Sequence, residues 1–362
     1  FYFLVASQLL IAANIEGPFL ILSTPYHADG TVDYPSLIKE ARFAAQWDTA
    51  GVIWPQSNDS VDLLTKEERF AGMAALVGEW RKNPTKTVLA LGVNGDDTEE
   101  MLVFANEADG RTLRGKADRL DLPRVEAERL AAESGVDIVL AARPPYYGAT
   151  EAEQQAYFDA LAKVARRPVI IQTYVNDACP TPSVDFLVGL ARKYPDIYGW
   201  IKEESDKLEA NARQQSELEA RDAIKTVFSA WGGWQWLYQR RQIGTAGLIS
   251  ERVAYAPIVS MIWKSMKEGD KKGRLTEAYA LSRLLIDQRF LPYDSLRGYS
   301  LYYLVRLGLF GNMLSRTYAA EPDGAHGTYT KENKSKWVLR DIELTGIQKA
   351  ELDKCYDDMM KF

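Results

Sequence analysis

From residue 17 onward, short unbroken apolar runs alternate with longer stretches in which apolar residues recur every three or four positions. An apolar run of four to eight residues, rich in β-branched side chains and bounded by turn residues, reads as a strand covered on both faces. Eight such runs occur, at Pro18–Ser23, Gly51–Pro55, Thr87–Val93, Asp137–Ala142, Val169–Thr173, Ile197–Lys202, Thr226–Ala230 and Gly247–Ser250. The helical periodicity falls between and after them, at Tyr34–Trp47, Lys66–Arg81, Val125–Ser134, Glu151–Val164, Val184–Lys193, Leu208–Ala220, Trp234–Gln242 and Pro257–Lys267. Eight β-then-α units predict an α/β fold, a (β/α)₈ TIM barrel. A doubly wound sheet would carry a Gly-x-Gly-x-x-Gly turn after its first strand, and here that strand runs into Ser23-Thr24-Pro25.

The remaining segments set the domain boundaries. Residues 1–16 form an N-terminal segment, 17–268 the catalytic barrel and 269–362 a helical C-terminal extension, with helices expected at Lys271–Gln288, Leu296–Phe310 and Thr345–Met360. Residues 94–122 read as a charged insertion between the third strand and its helix. It is either an active-site lid, an interface arm or a solvated loop. Phe1–Ala13 is apolar, too short to span a bilayer as a helix, and lacks the basic start of a signal peptide. It is expected to pack on the end of the barrel, with a processed export signal as the alternative; the expected location is cytoplasmic.

Composition narrows the chemistry. The 362 residues are 46% hydrophobic and 26% charged, enough to bury a large core. A net charge of −6 argues against nucleic acid or an anionic membrane as the partner. Cys179 and Cys355 lie far apart, and His27 and His326 are the only histidines, so neither a disulfide framework, nor a metal site, nor a histidine triad is expected. No cofactor is implied. Acid–base work in such a chain falls to tyrosine, lysine, carboxylates and hydroxyls.

Barrel enzymes place chemistry at the C-terminal ends of their strands. Those ends read Thr24, Ser57 and Asn58, Asn94, Tyr146 and Tyr147, Gln172 to Tyr174, Lys202, Trp231 and Ser250. One amine among hydroxyls, amides and phenols suits an oxygen-rich acid. A lysine in an apolar strand loses hydration of its ammonium, which favours the free amine, and a free amine beside a carbonyl forms a Schiff base. The alternative is a strand-end lysine that reaches solvent or pairs with Glu203 or Glu204.

Five stretches, in order and at matching spacing, resemble the dihydrodipicolinate synthase / N-acetylneuraminate lyase family: Thr24-Pro25-Tyr26 with Asp29-Gly30 and Val32-Asp33; Leu64-Thr65-Lys66-Glu67-Glu68-Arg69; Pro144-Pro145-Tyr146-Tyr147; Gly199-Trp200-Ile201-Lys202-Glu203; and Gly244-Thr245-Ala246-Gly247-Leu248-Ile249-Ser250. The resemblance implies a metal-independent class I lyase in which Lys202 forms an imine with a pyruvate-like 2-keto acid. It also implies a homotetramer or homodimer. Tyr147 would join a proton relay, and Ser57 and Asn58, with Thr24, Gln172 and Ser250, would bind substrate.

Two departures from the family stand out. Gln56-Ser57-Asn58-Asp59-Ser60 replaces the usual Gly-Thr-Thr-Gly-Glu loop, and Gln172 stands where many members have a relay tyrosine. Gln cannot pass protons at neutral pH, so the relay would shift to Tyr174, on the same strand face. Val175-Asn176-Asp177-Ala178 lacks the arginine of true dihydrodipicolinate synthases. The resemblance therefore tends towards 2-keto-3-deoxy sugar-acid aldolases and dehydratases, including 2-keto-3-deoxyarabonate dehydratase. The competing readings are a catalytically degenerate barrel that binds a keto or sugar acid, and a condensing enzyme of the dihydrodipicolinate synthase type. Metal-dependent aldol chemistry is disfavoured for want of a His/Glu ligand cluster.

Overall fold

The computed structural model describes residues 15–112, 138–269 and 295–361, except 57, 58, 60, 146–148, 175–179, 207, 231–234, 251 and 319–335. Eight parallel strands close into a barrel in chain order: β1 Gly17–Ile21, β2 Gly51–Trp54, β3 Val88–Gly92, β4 Ile138–Ala142, β5 Val169–Gln172, β6 Trp200–Glu203, β7 Thr226–Ser229 and β8 Gly247–Leu248, with β8 returning to β1. Side chains alternate across each strand. Phe19, Ile21, Ile53, Ala90, Val139, Ala141, Ile170, Trp200, Phe228 and Ile249 accordingly fill the barrel interior. Their chain neighbours, such as Leu20, Val52, Leu89, Leu140, Ile171, Ile201 and Val227, join the cluster shared with the helices. Both faces of every strand are thus covered by apolar residues, which is why the strands read as unbroken apolar runs.

The helical layer is α1 Tyr34–Gln46, α2 Lys66–Lys82, α3 Thr98–Thr112, α4 Glu151–Val164, α5 Val184–Lys193, α6 Ala210–Glu219, α7 Trp236–Tyr238 and α8 Ala256–Glu268. A π-helical turn, Gln239–Ile243, continues α7. Capping fixes several starts. Thr65 with Glu68 and Thr150 with Glu153 form reciprocal capping boxes, and Asp33 caps α1; each such cap contributes about 1 kcal/mol.

Gly199 precedes β6 at φ +125°, where a Cβ would lie 2.7 Å from the Ala223 carbonyl oxygen. Glycine is required for the chain to turn into the strand that carries Lys202.

Two expectations change. Residues 94–122 are not an insertion ahead of the third helix, because α3 begins at Thr98 and is itself that helix. Met101, Phe104, Ala105 and Ala108 supply its buried stripe, and the Asp97 carboxylate accepts the Glu100 amide at 2.9 Å near its start. Residues 113–122 and the helix expected at Val125–Ser134 lie outside the described residues, as do 1–14 of the N-terminal segment.

The C-terminal extension is not purely helical. Between α9 Ser295–Arg306 and α10 Gly346–Met359 an antiparallel pair intervenes, β9 Leu314–Tyr318 with β10 Trp337–Asp341. It packs on the barrel mouth through Arg316, which is 2% exposed. The guanidinium grips both Glu68 carboxylate oxygens at 2.6 and 2.8 Å and donates to the Leu63 and Gly30 carbonyls at 2.9 and 2.8 Å. The rings of Tyr26 and Trp337 flank it, 4.7 and 4.1 Å from its central carbon. Lys271–Gln288 lies outside the described residues.

Candidate active site

Inward parity continues past the apolar interior to the C-terminal ends of β5 and β6. Gln172 follows Ile170, and Lys202 follows Trp200 with Glu204 next in phase. Gln172 pairs in register with Lys202. Lys202 is 1% exposed, and its Nζ lies 2.8 Å from Oε2 of Glu204. The same oxygen accepts a hydrogen bond from Gln172 Nε2 at 2.5 Å. Amine, carboxylate and amide therefore converge on one atom at the top of the barrel.

The backbone around this cluster is tied down by Thr173. Its amide and hydroxyl both donate to the Lys202 carbonyl, at 3.0 and 3.3 Å, and its hydroxyl oxygen accepts the Glu204 amide at 2.7 Å. A buried ion pair is stable only with its remaining hydrogen-bonding capacity satisfied; Gln172 contributes to that for Glu204.

Other strand ends add polar groups. Asn94 Oδ1 accepts the Arg143 amide at 3.0 Å, and the Arg143 guanidinium pairs with Asp62 at 2.9 Å. A cavity of about 200 Å³ opens on that side, lined by Arg69, Asn94, Asp96, Glu100 and Arg143 among others; Lys202 is not part of its wall.

The expected site residues fall into three groups. Lys202 and Gln172 come together, and Tyr174 follows in the same alternation, half-buried just beyond β5. Thr24 follows the outward parity of Leu20 and Leu22, and its hydroxyl is engaged within the protein. It donates to Asp59 Oδ2 in a short contact and accepts from Trp54 Nε1 at 3.0 Å, while its amide donates to Asp59 Oδ1 at 3.1 Å. This arrangement fixes the loop after β2 and takes up the hydroxyl expected to meet substrate. Ser250, half-buried, lies two residues beyond β8, out of phase with the inward Ile249. Tyr147, Ser57 and Asn58 lie outside the described residues.

Glu203 and Glu204 are the two pairing partners the sequence offers Lys202, and the structure selects Glu204. The signal was available in the two-residue spacing from Lys202, which keeps it on the same side of the chain.

Among the described residues, no group of three or more His, Cys, Asp or Glu could hold a metal ion, and no helix is long and apolar enough to cross a membrane.

The fold is a closed parallel (β/α)₈ barrel with a buried lysine at the end of its sixth strand, and known proteins share that fold. Residues 124–290 match the dihydrodipicolinate synthetase family. The 4-hydroxy-tetrahydrodipicolinate synthase of Rhizobium meliloti (strain 1021) is 24% identical over 228 residues, which is 60% of this chain and 67% of that protein. Among solved structures, the sialic acid aldolase of Ruminococcus gnavus, in a catalytic lysine mutant, superposes with a TM-score of 0.70 at 16% identity, covering 96% of this chain and 97% of that one. YagE, a prophage protein of the dihydrodipicolinic acid synthase family from E. coli K12 solved with pyruvate, gives 0.66 at 17% identity over 96% and 99%. Across residues 124–290 the chain is thus similar to the dihydrodipicolinate synthetase family.

Proposed function

We propose that the protein is a class I, Schiff-base-forming lyase acting on a 2-keto acid, with Lys202 as the amine and a 2-keto-3-deoxy sugar acid as the substrate class. The observation that carries this reading is the 2.8 Å contact between Lys202 Nζ and Glu204. An ammonium cannot attack a carbonyl, and the neighbouring carboxylate is an acceptor for the proton it must lose. The amine then adds to C2, the former carbonyl oxygen leaves as water, and the iminium draws electrons from C3.

From that intermediate two outcomes share one need, a base near C3 or the C4 hydroxyl. Removal of a C3 proton with loss of the C4 hydroxyl gives dehydration. Removal of the C4 hydroxyl proton with C3–C4 cleavage gives aldol fission. Glu204 is in reach of the imine nitrogen, and Gln172 orients its carboxylate, so the pair supplies the base where Gln172 itself cannot. Tyr174 and Tyr147 are the phenols that would relay protons onward, and Ser57 and Asn58 the groups that would hold the substrate carboxylate.

The ion pair also supports a second reading, an inert barrel in which Glu204 keeps Lys202 as an ammonium and the site only binds an acid. Incubation with pyruvate and borohydride followed by intact mass separates the two. A single reduced adduct that disappears in Lys202→Ala supports the lyase, and absence of any adduct with pyruvate and with a panel of 2-keto-3-deoxy sugar acids supports the inert barrel. Following pyruvate release and water loss together on the same panel distinguishes fission from dehydration.

A further inference from the structure

Glu203 sits between Lys202 and Glu204 and points the opposite way, out of the barrel toward α6. It is fully buried, as is Glu217 on that helix. Oε1 of Glu203 accepts the Ser205 amide at 2.8 Å, and Oε2 faces Arg213 Nε at 3.3 Å. Arg213 also donates from Nη2 to the Pro182 carbonyl at 2.8 Å and lies 3.9 Å from Glu217 Oε1. One network thus joins the turn after Lys202, the β5–α5 connection and α6.

The charges do not balance. Two buried carboxyls share a single guanidinium, and an uncompensated buried charge is too costly to persist. One carboxyl therefore keeps its proton. Burial, with Glu203 adding to it both by charge and by hydrogen bonding, pushes the Glu217 carboxyl well above the usual range, and Arg213 opposes this only in part.

Among the described residues on the packed elements, no other ionisable group compensates. β7 carries none, and the π-helical turn meets α6 through neutral Gln239, whose amide nitrogen donates to Asn211. On α5, Asp185 is exposed, Arg192 pairs with Asp222, and Lys193 pairs with Asp159.

We propose that Glu217 is a positioning residue: as a neutral acid set against the Glu203 carboxylate it holds the outer side of β6 in place, and loss of its proton loosens the turn that presents Lys202 and Glu204. The part concerning Lys202 rests on the reading of that lysine as the imine-forming amine; the shared proton does not.

Glu217→Gln is the test, because the amide is a neutral isostere of the acid. Melting temperature is measured against pH for the wild type, Glu217→Gln and Glu217→Ala, and pyruvate trapping by borohydride is timed in parallel. The wild type is expected to lose stability as pH rises from the ordinary carboxyl range, its unfolding constant growing by up to about tenfold per pH unit. Glu217→Gln should fold, show a shallower pH dependence of melting than the wild type and keep trapping at alkaline pH where the wild type falls behind, while Glu217→Ala melts lower at every pH. A Glu217→Gln variant that fails to fold, or that retains the wild-type pH dependence of melting, overturns the proposal. If melting follows the expectation but no variant traps pyruvate, the shared proton stands and the Schiff-base reading is what fails.

Discussion

Lys202 and Gln172 are register neighbours on adjacent strands, and both reach the same carboxylate oxygen of Glu204, at 2.8 and 2.5 Å. The amide fixes where the carboxylate sits, and the carboxylate fixes where the amine sits. A glutamine at the end of β5 thus orients a carboxylate from the next strand, which the proposed mechanism uses as its base.

Lys202→Ala is expected to abolish both turnover and the borohydride-trapped adduct while leaving the circular dichroism spectrum unchanged. Glu204 keeps its Gln172 donor in this variant, so the strand end retains a partner. Measurable turnover of a 2-keto acid by the purified variant would remove Lys202 from the mechanism.

Glu204→Gln should slow turnover by about 10²–10⁴-fold, the span of general acid–base catalysis. Lys202 remains, so an adduct should still form, more slowly. Tyr174→Phe provides the comparison. If Glu204→Gln turns over at the wild-type rate while Tyr174→Phe is slowed, the base is the phenol.

Arg316→Met should destabilise the protein by about 3 kcal/mol, the scale of removing one partner from a buried pair. It leaves the Leu63 and Gly30 carbonyls without their donor. Arg316→Lys should recover only part of this, since a single ammonium cannot span both Glu68 oxygens and stack between two rings. Urea denaturation of the three proteins measures it, and equal midpoints for Arg316→Met and the wild type would contradict the clamp.

Glu40 is fully buried and its pKa is raised well above the usual carboxyl range, burial being the main cause and Asp59 adding to it, against the Ser23 amide and Arg252. The Ser23 amide lies 3.1 and 3.0 Å from its two oxygens. At low pH the group is protonated in both folded and unfolded chains. Above the ordinary carboxyl range the unfolded chain releases the proton while the folded one holds it, so stability declines with rising pH until the folded group also ionises. Glu40→Gln should flatten that part of the melting-temperature profile, and an unchanged slope would place the linkage elsewhere.

Barrel closure was legible because both faces of each strand are apolar, and Lys202 stood out as the one charged residue deep in such a run. Glu203 and Glu204 follow it and look alike in sequence, yet one faces α6 and the other the barrel mouth. Only the strand's phase, set from Trp200 onward, tells them apart. The stripe of α3 was obscured by Glu99, Glu100 and Glu107, which line the same turns. β9 and β10, Leu-Ser-Arg-Thr-Tyr and Trp-Val-Leu-Arg-Asp, carry too few apolar residues to announce a hairpin. What stabilises them is the long-range burial of Arg316, which no local pattern encodes. Thr24 stands at a strand end in the sequence, whereas its partners Trp54 and Asp59 come from the next strand and loop.

The Arg316 clamp also sets an order of assembly. Its bonds to Leu63, Glu68 and Gly30 span 253, 248 and 286 residues of chain. Chains emerge from synthesis N-terminus first, and contacts of such separation form late because the intervening loop must be closed before they reward it. The eight-stranded wall can be complete while the connections after β1 and β2 still await their last tether. The connections after β1 and β2 are thus tethered by a segment made only after all eight barrel strands.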